Sequence, residues 1–233
     1  MLNYSTFIKN NKTYEMEISE AKKAVCEASK RLLKEGLVKG TWGNISVRID
    51  DRYMVITPGG LPYEKLNEDD MVVVNFMDYS FEGNHKPSSE LKLHGELYKS
   101  RKKVNAVIHT HQQNASTVAA ARVEIPPILD DMAQILGPTI RVADYALPGT
   151  KKIVKATIKA LKGRNAALMA NHGAIVVGSD LEEAFVAAEV LEKVSKSFIE
   201  ASFLGEAKSI NKFEAWFMHQ YFIRKYSKQK KKK

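Results

Sequence analysis

Residues 45–56 read ISVRIDDRYMVI. Two short runs, 45–49 (ISVRI) and 53–56 (YMVI), are rich in β-branched and apolar residues and are separated by the turn pair Asp50-Asp51. Aspartates hydrogen-bond their own backbone and so favour a tight reversal, which makes the two runs neighbouring antiparallel strands. That reading decides the fold class. A chain that opens its sheet with a hairpin, and repeats hairpin-like spacing later, builds a largely antiparallel or mixed sheet rather than a doubly wound parallel one.

Outward from this hairpin, helices and strands alternate. Before it, Ser19 is placed to cap a helix with Ala21, Val25, Ala28 and Leu32 on one face and Gly36 as its stop. After it, Pro58-Gly59-Gly60-Leu61-Pro62 is a loop, and residues 71–76 (MVVVNF) form a buried strand. Ser88-Ser89-Glu90 opens a helix to about Ser100; serine oxygens satisfy free N–H groups there, and Glu90 suits the helix dipole. Residues 104–109 (VNAVIH) are a strand, 113–121 a short alanine-rich helix, 144–150 a loop with Pro148 and Gly149, and 151–162 a helix. Apolar runs 167–170 and 174–177 flank Asn171-His172-Gly173. Ser179-Asp180-Leu181-Glu182 has capping-box spacing and starts a long helix to Phe203.

The chain has 233 residues, 44% hydrophobic and 27% charged, enough for one large core and too apolar for wholesale disorder. No run reaches the ~18–20 apolar residues of a membrane span, and the first nineteen residues hold no signal-peptide core. One cysteine, Cys26, forms no internal disulfide and no zinc finger. The expectation is a cytoplasmic protein without a membrane partner. Seven of the net nine positive charges fall in residues 224–233, which carry no acidic residue, leaving +2 over 1–223. The body therefore lacks the basic stripe of a nucleic-acid binder. The domain reads as 1–223 and the last ten residues as a disordered, solvated tail, with weak attraction to RNA or anionic surfaces as the alternative.

Chemistry concentrates at His109-Thr110-His111. Side chains two apart on a strand point the same way, so both imidazoles can meet one ion; the pair is either a zinc pair or two hydrogen-bonding histidines. A catalytic zinc needs a third protein ligand, and His172, beside Gly173 between two apolar runs, is the best candidate. Glu90 and His94 share a helix face at i, i+4, with His94 either a ligand or a packed histidine. His85 reads as exposed and His219 has no evident partner. Three clusters suit an anion: Thr41-Trp42-Gly43-Asn44, the loop Pro58-Gly59-Gly60 with exposed backbone N–H groups, and Ser88-Ser89 at a helix start. No Walker loop or dinucleotide fingerprint is present.

Six ordered motifs, GTWGNISVR (40–48), ITPGGLPYEKL (56–66), PSSELKLH (87–94), AVIHTHQQNAS (106–116), ADYALPGT (143–150) and NHGAIVVG (171–178), make residues 20–205 resemble the class II aldolase/adducin family, most closely its zinc-dependent sugar-phosphate aldolases of the fuculose-phosphate type. The resemblance implies a single α/β domain with a mainly antiparallel sheet flanked by helices. It implies one Zn2+ per subunit, other divalent metals being possible, on His109, His111 and His172, with Glu90 as acid/base and fourth ligand. Gly43, Asn44, Gly59, Gly60, Ser88 and Ser89 would hold a substrate phosphate. It further implies a homotetramer with sites at subunit interfaces and cleavage of a ketose 1-phosphate such as L-fuculose 1-phosphate. Within the family the alternatives are L-ribulose-5-phosphate 4-epimerase and methylthioribulose-1-phosphate dehydratase; outside enzymes, the alternative is an adducin-like scaffold. Where the family carries a catalytic tyrosine, residues 125–132 (IPPILDDM) carry aspartates, so Asp130, Asp131, or Tyr221 or Tyr226 of a neighbouring subunit are the candidates for the second proton donor.

Overall fold

The computed structural model describes residues 17–230, with side chains as far as residue 225. The segment that bears on a signal peptide lies outside the described residues except at its end. Fourteen elements are numbered in chain order: α1 (Ile18–Lys34), β1 (Asn44–Arg48), β2 (Tyr53–Ile56), β3 (Val72–Asn75), β4 (Phe81–Glu82), α2 (Leu91–Ser100), β5 (Ala106–Thr110), α3 (Gln113–Ala121), β6 (Arg141–Ala143), α4 (Lys151–Ala160), β7 (Ala166–Met169), β8 (Gly173–Gly178), α5 (Leu181–Phe203) and α6 (Lys212–Lys230). The strands form one sheet in the order β4-β3-β2-β1-β5-β8-β7-β6. Every pairing is antiparallel except β6 with β7, which α4 joins as a crossover. The mainly antiparallel α/β reading is therefore correct. Among the described residues no helix is long and apolar enough to cross a membrane.

Strand alternation creates two cores. Ile45, Val47, Val55, Ala106, Ile108, Ala174 and Val176 pack with α1, α3 and α5 on one face. Met54, Ile56, Val72, Val107, Ile175 and Val177 pack with α2 and α4 on the other. Successive residues point to opposite faces, so fully apolar strands are what a sheet covered on both sides requires. β1 departs from this: Asn44, Ser46 and Arg48 put polar groups on the α2 face. Those groups organise the site.

Several ends differ from the sequence reading. Ser19 lies inside the first turn of α1, whose N-cap is Glu17 without a side-chain cap. Its stop is as read: Gly36 (φ 71) donates to Leu33 O and Leu37 to Leu32 O, a Schellman ending. α5 is capped by Asp180, which accepts from Glu183 N, while Glu183 reaches back to Ser179 N and Oγ; the box is shifted one residue from the spacing read. The strands β4 and β6, a π-helical turn at Met132–Leu136 and the whole of α6 were not legible. α6 also reaches into the tail, whose residues 231–233 lie outside the described residues. Residues 224–230, read as disordered, continue the helix, since lysines are good helix formers and positive charge near a C-terminus complements the dipole. α6 docks on the π turn, where buried His219 Nδ1 meets Gln134 O at 2.7 Å.

Candidate metal centre

β1 and β5 are adjacent, and their register sets Asn44 opposite His109. Directly opposed residues project from the same face. The start of α2 lies over that face and delivers Glu90, its N-cap residue, onto the pair. Asn44 Nδ2 donates to Glu90 Oε2 at 2.8 Å, and His109 Nε2 lies 3.3 Å from the same oxygen. Glu90 is 6% exposed, His109 1%.

His109 is oriented from behind. Its Nδ1 is 2.8 Å from the carbonyl oxygen of Ala174 on β8, an atom that only accepts, so Nδ1 carries the proton. A neutral ring then presents the Nε2 lone pair to the cleft, where His111 Nε2 stands 2.9 Å away. His172 completes the group from the β7–β8 hairpin. Its turn places Asn171 at φ 53, a conformation asparagine tolerates, and His172 N donates to Met169 O. A side chain at position 173 would collide with Thr110 O, so glycine there lets the hairpin approach β5. The three rings lie 4.7, 4.8 and 5.2 Å apart between centroids, and their nitrogens fall within 4.8 Å of one another. His172 Nε2 is 3.9 Å from Glu90 Oε1, a buried oxygen without a hydrogen-bond partner.

Three imidazoles and a carboxylate, with no thiolate, form a donor set suited to zinc or a similar divalent cation. The residues fit such an ion on two counts: His109 is locked in the tautomer that offers Nε2, and a buried carboxylate oxygen faces the cluster unsatisfied. Burial pushes His111 down to about 4 and lowers His172; the proximity of neighbouring imidazoles acts in the same direction and Glu90 against it. Burial raises Glu90, but His109, the Asn44 hydrogen bond and the other histidines outweigh it and hold the carboxyl below its ordinary range. At neutral pH these groups are deprotonated, as metal ligation requires.

The cleft holds about 250 Å³. It is lined by all ten residues named from the sequence (Gly43, Asn44, Gly59, Gly60, Ser88, Ser89, Glu90, His109, His111, His172), together with Thr41, Trp42, Pro58 and Pro148. Trp42, 67% exposed, stands at the mouth with its ring centroid 5.7 Å from that of His111. One anion contact read from sequence is spent elsewhere: the Gly59 amide donates to Lys86 O. Asn44 uses one amide hydrogen on Glu90 and has a second. The hydroxyls of Ser88 and Ser89 and the backbone around Gly43 and Gly60 remain. Pro148 went unrecognised, although the breaker pair Pro148-Gly149 marks its loop.

Other candidates lie outside. His94 is fully buried against Ser46 Oγ at 2.7 Å, hence a packed histidine. His85, only half-exposed, meets Asp70 at 2.9 Å. Neither aspartate lines the cleft: Asp131 binds Lys193 Nζ and caps Met132 N, and Asp130 borders an apolar groove against α6. Tyr221 is exposed on α6, and the side chain of Tyr226 lies outside the described residues.

The buried neutral histidines make stability pH-dependent. His94, pushed by burial to about 3, binds no proton when folded but binds one when unfolded below the ordinary histidine value of about 6.5. The unfolded state then holds more protons, so stability is full above about pH 6.5 and falls as pH drops toward the folded value. His94 alone contributes up to about 1.4 kcal/mol per pH unit, and the more open His111 and His172 add less in the same direction. Urea denaturation of chelator-treated protein at pH 7, 6 and 5 is expected to show a falling midpoint; a constant one contradicts the neutral assignment.

Comparison with known proteins returns a consistent picture. The model of the class II aldolase and adducin N-terminal domain matches residues 23–199. A 5-deoxy-D-ribulose 1-phosphate aldolase of Bacillus thuringiensis serovar kurstaki is 34% identical over 194 residues, 83% of this chain and 91% of the relative. An L-fuculose phosphate aldolase of Escherichia coli is 35% identical over 184 residues, 79% of this chain and 85% of the relative. A solved L-fuculose 1-phosphate aldolase superposes with a TM-score of 0.84 at 33% identity, covering 90% of this chain and 99% of that one.

Proposed function

The chain belongs to the class II aldolase and adducin family, and from that premise we propose that it is a divalent-metal-dependent aldolase. Its substrate would be a ketose 1-phosphate, such as L-fuculose 1-phosphate or a 5-deoxyribulose 1-phosphate, cleaved to dihydroxyacetone phosphate and an aldehyde. One observation carries the reading: three imidazoles and a buried carboxylate converge in a cleft whose other wall offers serine hydroxyls and glycine backbone. A scaffold has no use for that convergence.

In this reading His109, His111 and His172 hold one cation, zinc by donor type, with Glu90 beside it. When bound, the ion supplies Lewis-acid stabilisation of the negative charge that develops next to the carbonyl as the carbon–carbon bond opens. The chain does the rest. Ser88, Ser89 and the backbone at Gly43 and Gly60 grip the phosphate, and that remote binding energy orients the reacting carbons. Glu90 handles the proton at the carbon beside the carbonyl: it removes it in condensation and returns it in cleavage, after the bond's electron pair has passed to that carbon. In cleavage the hydroxyl that becomes the aldehyde must give up a proton to a second group. Among the described residues the lining of the cleft has no titratable side chain besides Glu90 and the histidines, which favours a group such as Tyr221 from a neighbouring copy in a homotetramer.

The decisive test is a product assay with zinc-loaded protein on ketose 1- and 5-phosphates. Release of dihydroxyacetone phosphate and an aldehyde from a 1-phosphate is expected. An epimerised 5-phosphate or a dehydrated 1-phosphate would transfer the chain to a sibling activity, and no turnover with metal bound would leave a scaffold.

A further inference from the structure

Beneath Glu90 lies a dry polar stack that the proposed chemistry leaves unused. His94, Ser46 and Tyr98 are each 0% exposed. The His94 backbone N–H donates to Glu90 O at 3.3 Å, a helical bond that sets both side chains on one face of α2. His94 Nδ1 lies 2.7 Å from Ser46 Oγ, which lies 2.8 Å from the Tyr98 hydroxyl; that hydroxyl is also 3.0 Å from Ser46 O, so its single proton faces both oxygens of Ser46. At the other end His94 Nε2 is buried without a hydrogen-bond partner, and so is Glu90 Oε1. The second Glu90 oxygen is already held by Asn44.

Two orphaned polar atoms, one turn apart on the same helix face, are costly unless they meet at some stage. A bare nitrogen lone pair would repel the carboxylate, whereas an N–H would bind it. Only one tautomer serves: Ser46 O–H donates to Nδ1, leaving the ring proton on Nε2.

Resting on the aldolase reading, we propose that His94 is a positioning residue for Glu90, its Nε2–H receiving Oε1 when the carboxylate turns away from the histidine cluster to work on substrate. The Tyr98–Ser46 stack fixes the ring so that the receiving hydrogen bond is preformed.

Asparagine at position 94 keeps a polar atom for Ser46 but has none at the Nε2 position; glutamine places an amide N–H there. His94→Asn is expected to lower kcat by about 10–100-fold, with KM and bound metal little changed, and His94→Gln to recover most of the loss. A kcat for His94→Asn within about twofold of the parent, or equal impairment of both variants, overturns the proposal. Nitrogen-15 NMR of the unsubstituted, histidine-labelled protein tests it without substrate and without reliance on the variants' folding. An Nε2–H signal for His94 that shifts in Glu90→Ala supports the contact even if the aldolase assay is negative; an Nδ1–H tautomer removes it.

Discussion

Glu90→Gln is expected to lower the cleavage rate by about 10²–10⁴-fold, the range associated with loss of a positioned proton carrier, while the protein stays folded. Glutamine has the shape of glutamate. Its carbonyl oxygen can keep the bond from Asn44 Nδ2, and its amide nitrogen then takes the place of Oε1, 3.9 Å from His172 Nε2. The buried site is thus filled without a cavity or a lone buried charge, the usual causes of large destabilisation. What disappears is the ability to take and return a proton. The comparison to make is kcat at saturating substrate, with metal content and thermal unfolding measured on the same preparation. Near-normal turnover would strip Glu90 of its role.

His109→Ala is expected to abolish metal retention. His109 is the most buried of the three imidazoles and the one anchored from behind by Ala174 O, and its Nε2 meets both His111 and Glu90. Its removal leaves two imidazoles and a carboxylate, a set that holds zinc only where the three converge, and here the member on which the others converge is gone. After dialysis, metal analysis should fall from about one ion per chain to background, and cleavage should vanish with it. His85→Ala, which is absent from the lining of the cleft and paired with Asp70, serves as the control that keeps its ion. Full occupancy in His109→Ala would remove the assignment.

The sheet was legible where period-two patterning had room to show itself. The turn at Asp50-Asp51 predicts the β1–β2 hairpin, and Asp50 Oδ1 does accept from the backbone of Arg52 and Tyr53. β4 has two residues and β6 three, too few for any pattern. α6 was hidden because Phe213, Trp216, Phe217 and Tyr221 remain exposed and lie next to a lysine-rich run that resembles a tail. The histidine pair at the end of β5 was readable from its spacing, and His172 from the glycine that follows it. Fine allocation of donors was not readable. Whether the Gly59 amide faces a ligand or Lys86 O depends on residues that meet only in three dimensions, as does the fate of Asp131, captured by Lys193 of α5.

The Gly59–Lys86 bond has neighbours. Pro58 and Pro87 form an isolated antiparallel bridge, and Ser88 N donates to Thr57 O. The two loops on the anion side are thereby stitched into a single leaf, continuous through Ser88 with the residue at the head of α2. Adding or deleting one residue along that leaf would slip the stitches and carry residue 90 out of line with the sheet. Over evolutionary time the length of such a leaf is what its bonds constrain most.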